Sequence, residues 1–509
     1  MGAEAPANLP GPLKAGQVID GFLLEERTHQ GGMAQLWRVS KVGSADPQAL
    51  PLPLIMKVPR IKGGDDPATI VGFEVEQMIM PALRGVHVPR FIASGDFTRQ
   101  PYIVMERIEG ESLKPRFDAA PIAIDEVVQI GAKVATALHD LHRQHVVHLD
   151  VKPSNIMFRA AVGGTHGEAG QETGGEAVLV DFGLSRHDHL PDLLEEEFDL
   201  PMGTGPYMSP EQVQFVRNDP RSDLFALGVM LYHLVTGRRP FGAPASVRGL
   251  RQRLYRDPLP PRTLRPDCPP WLQEVILRCL EVQPERRHQS AAQLAFDLQH
   301  PDQVALTERA QRATRIGSLQ LMRRWFSAMG AEPAAGASAS GQTMRSPILM
   351  AAVDVSGAEA RLLDAVRSAV QRLLHTEPGA RLACVAVMKT NRVGMDELVD
   401  KDGSSKHVNL LVQLKHWARP VLQAGGTTAA AAGDEQAGRV TFHVLEAPDV
   451  PGALLDYARK NQVDHIVMGA RSSGGMRRYL GSVSAKVAAG ADCSVTVVRT
   501  PAVASERER

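Results

Sequence analysis

Between residues 327 and 346 the chain reads SAMGAEPAAGASASGQTMRS, small and polar residues with almost no bulky apolar side chains. Such a tract buries too little apolar surface to offset the entropy of ordering it, so it reads as a flexible linker. It divides the 509 residues into two folding units. Chain length demands the same division, because single hydrophobic cores stop growing near about 250–300 residues.

The first unit changes character part-way. GFLLEER, AQLWRVS, LPLIMKV and PYIVMER are short apolar or alternating runs bounded by Gly, Pro or polar clusters, and they predict strands. A helical pattern over Ile70–Leu83 interrupts them. From Ile124 onward IDEVVQIGAKVATALHDLH, SDLFALGVMLYHLVTG and WLQEVILRCLE place apolar residues at three- and four-residue spacing, the period of amphipathic helices. Between Arg159 and Glu176 the glycine-rich AAVGGTHGEAGQETGG marks a surface insertion that should tolerate deletion. In the second unit SPILMAAVDVS, RLACVAVMK, VTFHVLE, DHIVMGA and CSVTVVR alternate with helical stretches such as GAEARLLDAVRSAVQRLL and PGALLDYARKN. That alternation predicts a mainly parallel sheet flanked by helices.

Bulk chemistry excludes several functions. Fifty-seven basic residues balance 57 acidic ones, so no global field draws the chain to nucleic acid or an anionic membrane. Cys268, Cys279, Cys384 and Cys493 are scattered without a CxxC pair, which suggests neither a zinc site nor a disulfide framework and fits a reducing cytosol. The N-terminus lacks a signal-peptide layout and no stretch reaches the roughly 18–20 apolar residues of a membrane span, so a cytoplasmic protein is expected.

Chemistry is carried by an ordered series of rare motifs: LIMKV, FEVEQMIMPAL, YIVMERIEG, HVVHLDVKPSN, VLVDFGLS, GTGPYMSPEQ, SDLFALG and PERRHQSAAQL. Over about residues 16–300 this series resembles the protein kinase family. The resemblance implies a bilobal α+β fold and a bacterial-type serine/threonine kinase using ATP and Mg2+ on protein substrates in signalling or stress response. It implies that Lys57 neutralises the α- and β-phosphates and that Glu76 pairs with that lysine, with Glu74 the competing position. In the catalytic loop Asp150 would accept or orient the substrate hydroxyl's proton, Lys152 would steady the transferring phosphate, and Asn155 would bind the metal. Asp181 would hold the metal at the β- and γ-phosphates, and Thr204 would hydrogen-bond Asp150 and Lys152. Met105 resembles the gatekeeper, and Glu106 to Ile108 the hinge that binds adenine through its backbone. Glu211 should pair with Arg287, and Asp223 should brace the catalytic loop.

Two departures stand out. The nucleotide loop, GxGxxG in the family, is here His29-Gln30-Gly31-Gly32-Met33-Ala34 followed by Leu36, so phosphate contact would rest on Gly31 and Gly32. A nucleotide-sensing scaffold with a weak or inactive kinase fold is therefore the second reading. Leu149 replaces the arginine that in regulated kinases pairs with a phosphorylated activation loop. The segment Leu184–Met202 offers Ser185 as its one hydroxyl and carries Glu195, Glu196 and Glu197 instead. Loop phosphorylation is thus not expected to be the switch, and control through the C-terminal domain is.

From about Ser346 to Arg499 the chain resembles the universal stress protein family, through AAVDVSGAEARLLDAV and through MGARSSGGMRRYLGSVSAKV followed by CSVTVVR. That resemblance implies a doubly wound α/β domain whose nucleotide site would use Asp354, Gly469, Gly481 and Ser482. Ser472 stands at the second loop glycine and the spacing to Gly481 is one residue short, so an ATP-binding sensor and a nucleotide-free dimerising module both stay open. The expected layout is a flexible N-terminus (1–15), kinase domain (16–300), basic helix and linker (301–345), stress-protein domain (346–500) and tail (501–509). The basic stretch RAQRATRIGSLQLMRRWFSAM would meet a membrane, a partner or the kinase itself.

Overall fold

The computed structural model describes residues 13–30, 34–43, 52–60, 67–95, 97, 99–160, 175–198, 200–244, 246–314, 322–325, 347–377, 379–390, 405–424, 439–470 and 482–500. Residues 161–174 of the glycine-rich insertion, the 327–346 tract, Gly31, Gly32 and Gly481 lie outside them.

The first unit has two lobes. Strands β1 (Val18–Ile19), β2 (Phe22–Gln30), β3 (Ala34–Lys41), β4 (Leu54–Pro59), β5 (Phe91–Gly95) and β6 (Tyr102–Glu106) form one antiparallel sheet in the order β1-β2-β3-β4-β6-β5. Its register places Leu36 opposite Lys57 and Lys57 opposite Ile103. One face buries Leu24, Trp37, Val39, Met56 and Val104 together, the outcome of alternation along each strand. Helix α1 (Pro67–Ile79) packs under the sheet with Ile70, Val71, Phe73 and Val75 buried.

The second lobe is built on α2 (Ile124–His142) and α4 (Arg221–Thr236), with a short helix α3 (Leu193–Glu197) between them in sequence. Helix α2 begins with Asp125 and Glu126, charges that suit the positive end of its dipole. Helix α4 stops at Gly237, whose φ of 68° closes the last turn at low cost. The two helices share one apolar core with Val134, Leu138, Phe225 and Leu231, all fully buried.

The second unit is a five-stranded parallel sheet of β7 (Ile348–Ala352), β8 (Arg381–Lys389), β9 (Val440–Ala447), β10 (His465–Gly469) and β11 (Ser494–Val498), ordered β9-β8-β7-β10-β11. Helices α5 (Ala360–Thr376) and α6 (Lys406–Ala424) cover one face through Val366, Val370, Leu414 and Trp417. Helices α7 (Val450–Lys460) and α8 (Ser482–Gly490) cover the other through Leu454, Tyr457 and Val487. Covering both faces makes this a doubly wound α/β fold, and the strand order reverses beside β7, where such sheets open a ligand crevice. Helix α6 is absent from the apolar pattern noted above, because Pro420 and charged residues interrupt it.

Candidate active site

Lys57 projects from the middle of β4, where the sheet fixes its backbone on both sides. Its Nζ donates to Glu76 Oε2 (2.5 Å) and to Asp181 Oδ1 (2.8 Å). Of the two acidic candidates on α1, the structure pairs Glu76 with Lys57. Residues two apart on a helix point to different sides, and Glu74 is taken from outside by Lys415 of the second unit.

Electrostatics follow from this cluster. Burial disfavours the Lys57 charge, yet Asp181 and Glu76 raise its pKa above the ordinary lysine value. Lys57 in turn, acting against burial, holds the Asp181 carboxyl at about 2. Burial pushes the Glu76 carboxyl up, opposed by the same ammonium. Asp181 sits at φ 68°, a left-handed conformation costing of order 1–3 kcal/mol in a non-glycine residue. The Lys57 contact and the burial of its neighbour Phe182, 0% exposed and 5.3 Å ring to ring from His148, hold it there.

Asp150 is the most heavily held side chain of the cleft. Its Oδ1 accepts from the Thr204 hydroxyl (2.6 Å) and backbone N–H (3.1 Å), and its Oδ2 from Lys152 Nζ (2.6 Å) and Asn155 Nδ2 (3.1 Å). Lys152 Nζ also reaches Thr204 Oγ1 at 3.2 Å. Four donors on one carboxylate fix its direction. The loop beneath is braced by Asp223, which accepts from the backbone N–H groups of His148 (2.9 Å) and Leu149 (2.8 Å). Leu149, buried and at φ 61°, needs that brace. Arg287 grips Glu211 through two bonds of 2.6 and 2.8 Å, both side chains almost fully buried.

At the hinge, Met105 is buried, and the Glu106 side chain turns away to an ion pair with Arg159, which with the Arg90 N–H holds its carboxyl below the usual range despite burial. The backbone N–H of Ile108 has no backbone partner among the described residues and is free to meet a ligand. Leu36 is half-buried on β3 above this cleft. Asn155 Oδ1 and the half-exposed Asp181 carboxylate offer the hard oxygen donors that a divalent cation takes.

Four further contributors shape the site. Gly72 of α1 meets Gly183, so close that a Cβ on Gly72 would stand 3.0 Å from the Gly183 carbonyl oxygen. Gln212 donates to the carbonyls of Leu149 (2.8 Å) and Met202 (3.2 Å), tying the catalytic loop to the segment before Thr204. Ser209 caps the helix Pro210–Val213 in a reciprocal capping box with Gln212. The Ser-x-x-Gln spacing was a legible signal for that pair. Arg159 has no sequence signal; its ion pair with Glu106 is purely tertiary.

In the second unit Asp354, Gly469 and Ser482 line one cavity of about 510 Å³, within the range of small-molecule sites. Asp354 Oδ1 accepts from the Gly357 N–H at 3.0 Å just beyond β7.

The model of the protein kinase domain matches residues 62–300, and that of the universal stress protein family matches residues 346–499. The chain is a protein kinase domain joined to a universal stress protein domain. Over its kinase part it is similar to serine/threonine-protein kinase PknB of Mycolicibacterium smegmatis, 29% identical over 58% of this chain and 47% of that protein. It is also similar to serine/threonine-protein kinase pkn3 of Myxococcus xanthus, 30% identical over 70% of this chain and 66% of that one. The chain thus spans about half the length of the PknB relative it matches. The crystal structure of the Mycobacterium tuberculosis PknI kinase domain is matched at 21% identity and a TM-score of 0.42, covering 57% of this chain and 99% of that one. Among the described residues no helix is long and apolar enough to cross a membrane.

Proposed function

We propose that this protein transfers the γ-phosphate of ATP to serine or threonine hydroxyls of protein substrates, in bacterial signalling or stress response. The observation that carries the reading is the Asp150 carboxylate, held by Thr204, Lys152 and Asn155. With its lone pairs partly engaged, Asp150 orients the incoming hydroxyl and accepts its proton as the new P–O bond forms. Lys57, fixed by Glu76, neutralises the α- and β-phosphates, and the Ile108 backbone binds adenine. Asn155 and Asp181 would hold Mg2+, which supplies charge neutralisation on the phosphates when bound. Lys152 steadies the transferring phosphoryl group, and Thr204 hydrogen-bonds Asp150 and Lys152.

The test is incorporation of label from γ-labelled ATP into a generic basic protein substrate by the full chain. Asp150→Ala is expected to lower the rate by about a thousandfold, in keeping with loss of a base and positioning group. Equal near-background rates in the two proteins would leave the scaffold reading instead.

For the stress-protein domain the proposal is a second nucleotide in the cavity beside Asp354, Gly469 and Ser482. Equilibrium dialysis on the Asp150→Ala chain should find two ATP sites. One site only, unchanged by Asp354→Ala, would leave the domain without a nucleotide.

A further inference from the structure

The acidic helix α3 lies in the activation segment, between Asp181 and Thr204, and apart from the exposed Glu195 it is buried or half-buried. Its Leu193 and Leu194 are buried in the same apolar cluster as Ile70, Val71 and Phe73 of α1. The carboxylates of Glu196 and Glu197 are taken by the stress-protein domain. Arg381 of β8 makes a two-bonded contact with Glu196, 2.6 Å on each oxygen, and a further bond of 2.8 Å to Thr441 that orients the guanidinium. The Tyr457 hydroxyl donates to Glu196 at 3.2 Å. His443, fully buried, has Nδ1 2.9 Å from Glu197 Oε1 and its other ring nitrogen on Thr441. Lys460 Nζ donates to the Phe198 carbonyl at 3.3 Å.

A second grip falls on α1. Lys415 of α6 holds Glu74, and its ammonium lies 4.9 Å and 5.4 Å from the ring centroids of Phe97 and Phe442, one from each domain. Around the charges, Met388, Val408, Leu411, Val412 and Val444 of the stress-protein domain join the apolar core that contains α1 and α3. Both elements are tied to the cleft. Helix α1 carries Glu76, and the chain leaving α3 runs on to Thr204.

We propose that this face of the stress-protein domain is a receptor for the kinase's own acidic activation helix, and that docking there switches the kinase on in place of loop phosphorylation. The proposal rests on the kinase reading of the cleft. Its physical basis is that Glu196 and Glu197 do the work a phosphate does elsewhere, but their partners, the Arg381 guanidinium and the His443 ring, come from the attached domain, since Leu149 offers none. Ser185, the one hydroxyl early in the segment, is 1% exposed and donates to the His148 carbonyl at 3.0 Å, so it is closed to modification in this state. Docking coexists with every contact of an assembled cleft: Lys57 on Glu76, Phe182 buried, and Thr204 on Asp150. The docked state is therefore the competent one. The cavity reaches this seam as well, because Met388 and Leu410 both line it and belong to or pack against the shared core.

The test uses the full chain with Arg381→Glu, Glu196→Arg and the two combined. Each single reversal is expected to lower the phosphotransfer rate by about tenfold or more and to speed amide hydrogen exchange in α1 and α3, while the charge swap restores both. Single variants at or above wild-type activity would overturn the proposal, the latter result by making the dock inhibitory. Because Arg381→Glu also loses Thr441, Glu196→Arg provides the arm that leaves the stress-protein domain intact. If wild type is no faster than Asp150→Ala, the kinase reading has failed separately. Exchange in α1 and α3 then judges the dock alone, and unchanged protection in both single variants sinks it.

Discussion

Gly72 shows how a single hydrogen in place of a side chain positions the catalytic cluster. Helix α1 approaches the Gly183 backbone so closely that any Cβ must push the two apart. A Gly72→Val variant should therefore displace Glu76 from Lys57 and lower kcat by about tenfold or more at saturating ATP, with the chain still folded by circular dichroism. Full activity in that variant would show that α1 has slack. A different lesson comes from Cys279, whose Sγ lies 3.4 Å from His288 Nδ1, with His288 Nε2 3.2 Å from Asp297 Oδ2. The order imitates a thiol-nucleophile triad. Both Cys279 and His288 are fully buried, burial pushes the thiol up to about 12 and the imidazole down, and no substrate reaches them. Iodoacetamide at pH 8 should accordingly label Cys493, the one half-buried cysteine, well before the other three, as read by peptide mass spectrometry.

Among elements, the helix Pro210–Val213 is short yet consequential, because its capping box sits where the activation segment rejoins the fold. Ser209 Oγ accepts from the Gln212 N–H at 3.2 Å, and its hydroxyl donates to Ser222, which donates to Glu211. Ser209→Ala should cost about 1 kcal/mol of stability, seen as a lower denaturation midpoint. Gln212→Ala, which frees the Leu149 carbonyl, should instead lower activity more than stability. Equal effects of the two variants on both quantities would reduce the Gln212 bridge to ordinary packing. Helix α6 carries a second role at this scale, since Leu414 and Trp417 face its own sheet while Val408, Leu411 and Val412 face the kinase.

At the scale of the molecule the two domains share one apolar seam crossed by buried ion pairs. Breaking a buried pair by removing one partner costs roughly 3–5 kcal/mol, which makes the seam hard to open piecemeal. With a protease site engineered into 327–346, the cleaved halves should co-elute on gel filtration at micromolar concentration. Separate elution would mean that the linker alone holds them together. Much of the molecule was legible beforehand. The motifs from LIMKV to PERRHQSAAQL, the switch from strands to helices and the βα alternation after residue 346 follow from chemistry written at short range, where spacing along the chain fixes which groups share a turn or a strand, whereas the pairing of Asp150 with Thr204, 54 residues apart, was implied by the kinase resemblance. The sequence by itself therefore determined two units and their architectures, and its resemblance to kinases named the candidate residues of the cleft. Only tertiary structure decided that Glu76 faces Lys57 while Glu74 faces Lys415, and that the acidic run of the activation segment meets Arg381 across 185 residues of sequence. No local pattern encodes such a pair, because complementarity between distant surfaces exists only once both have folded.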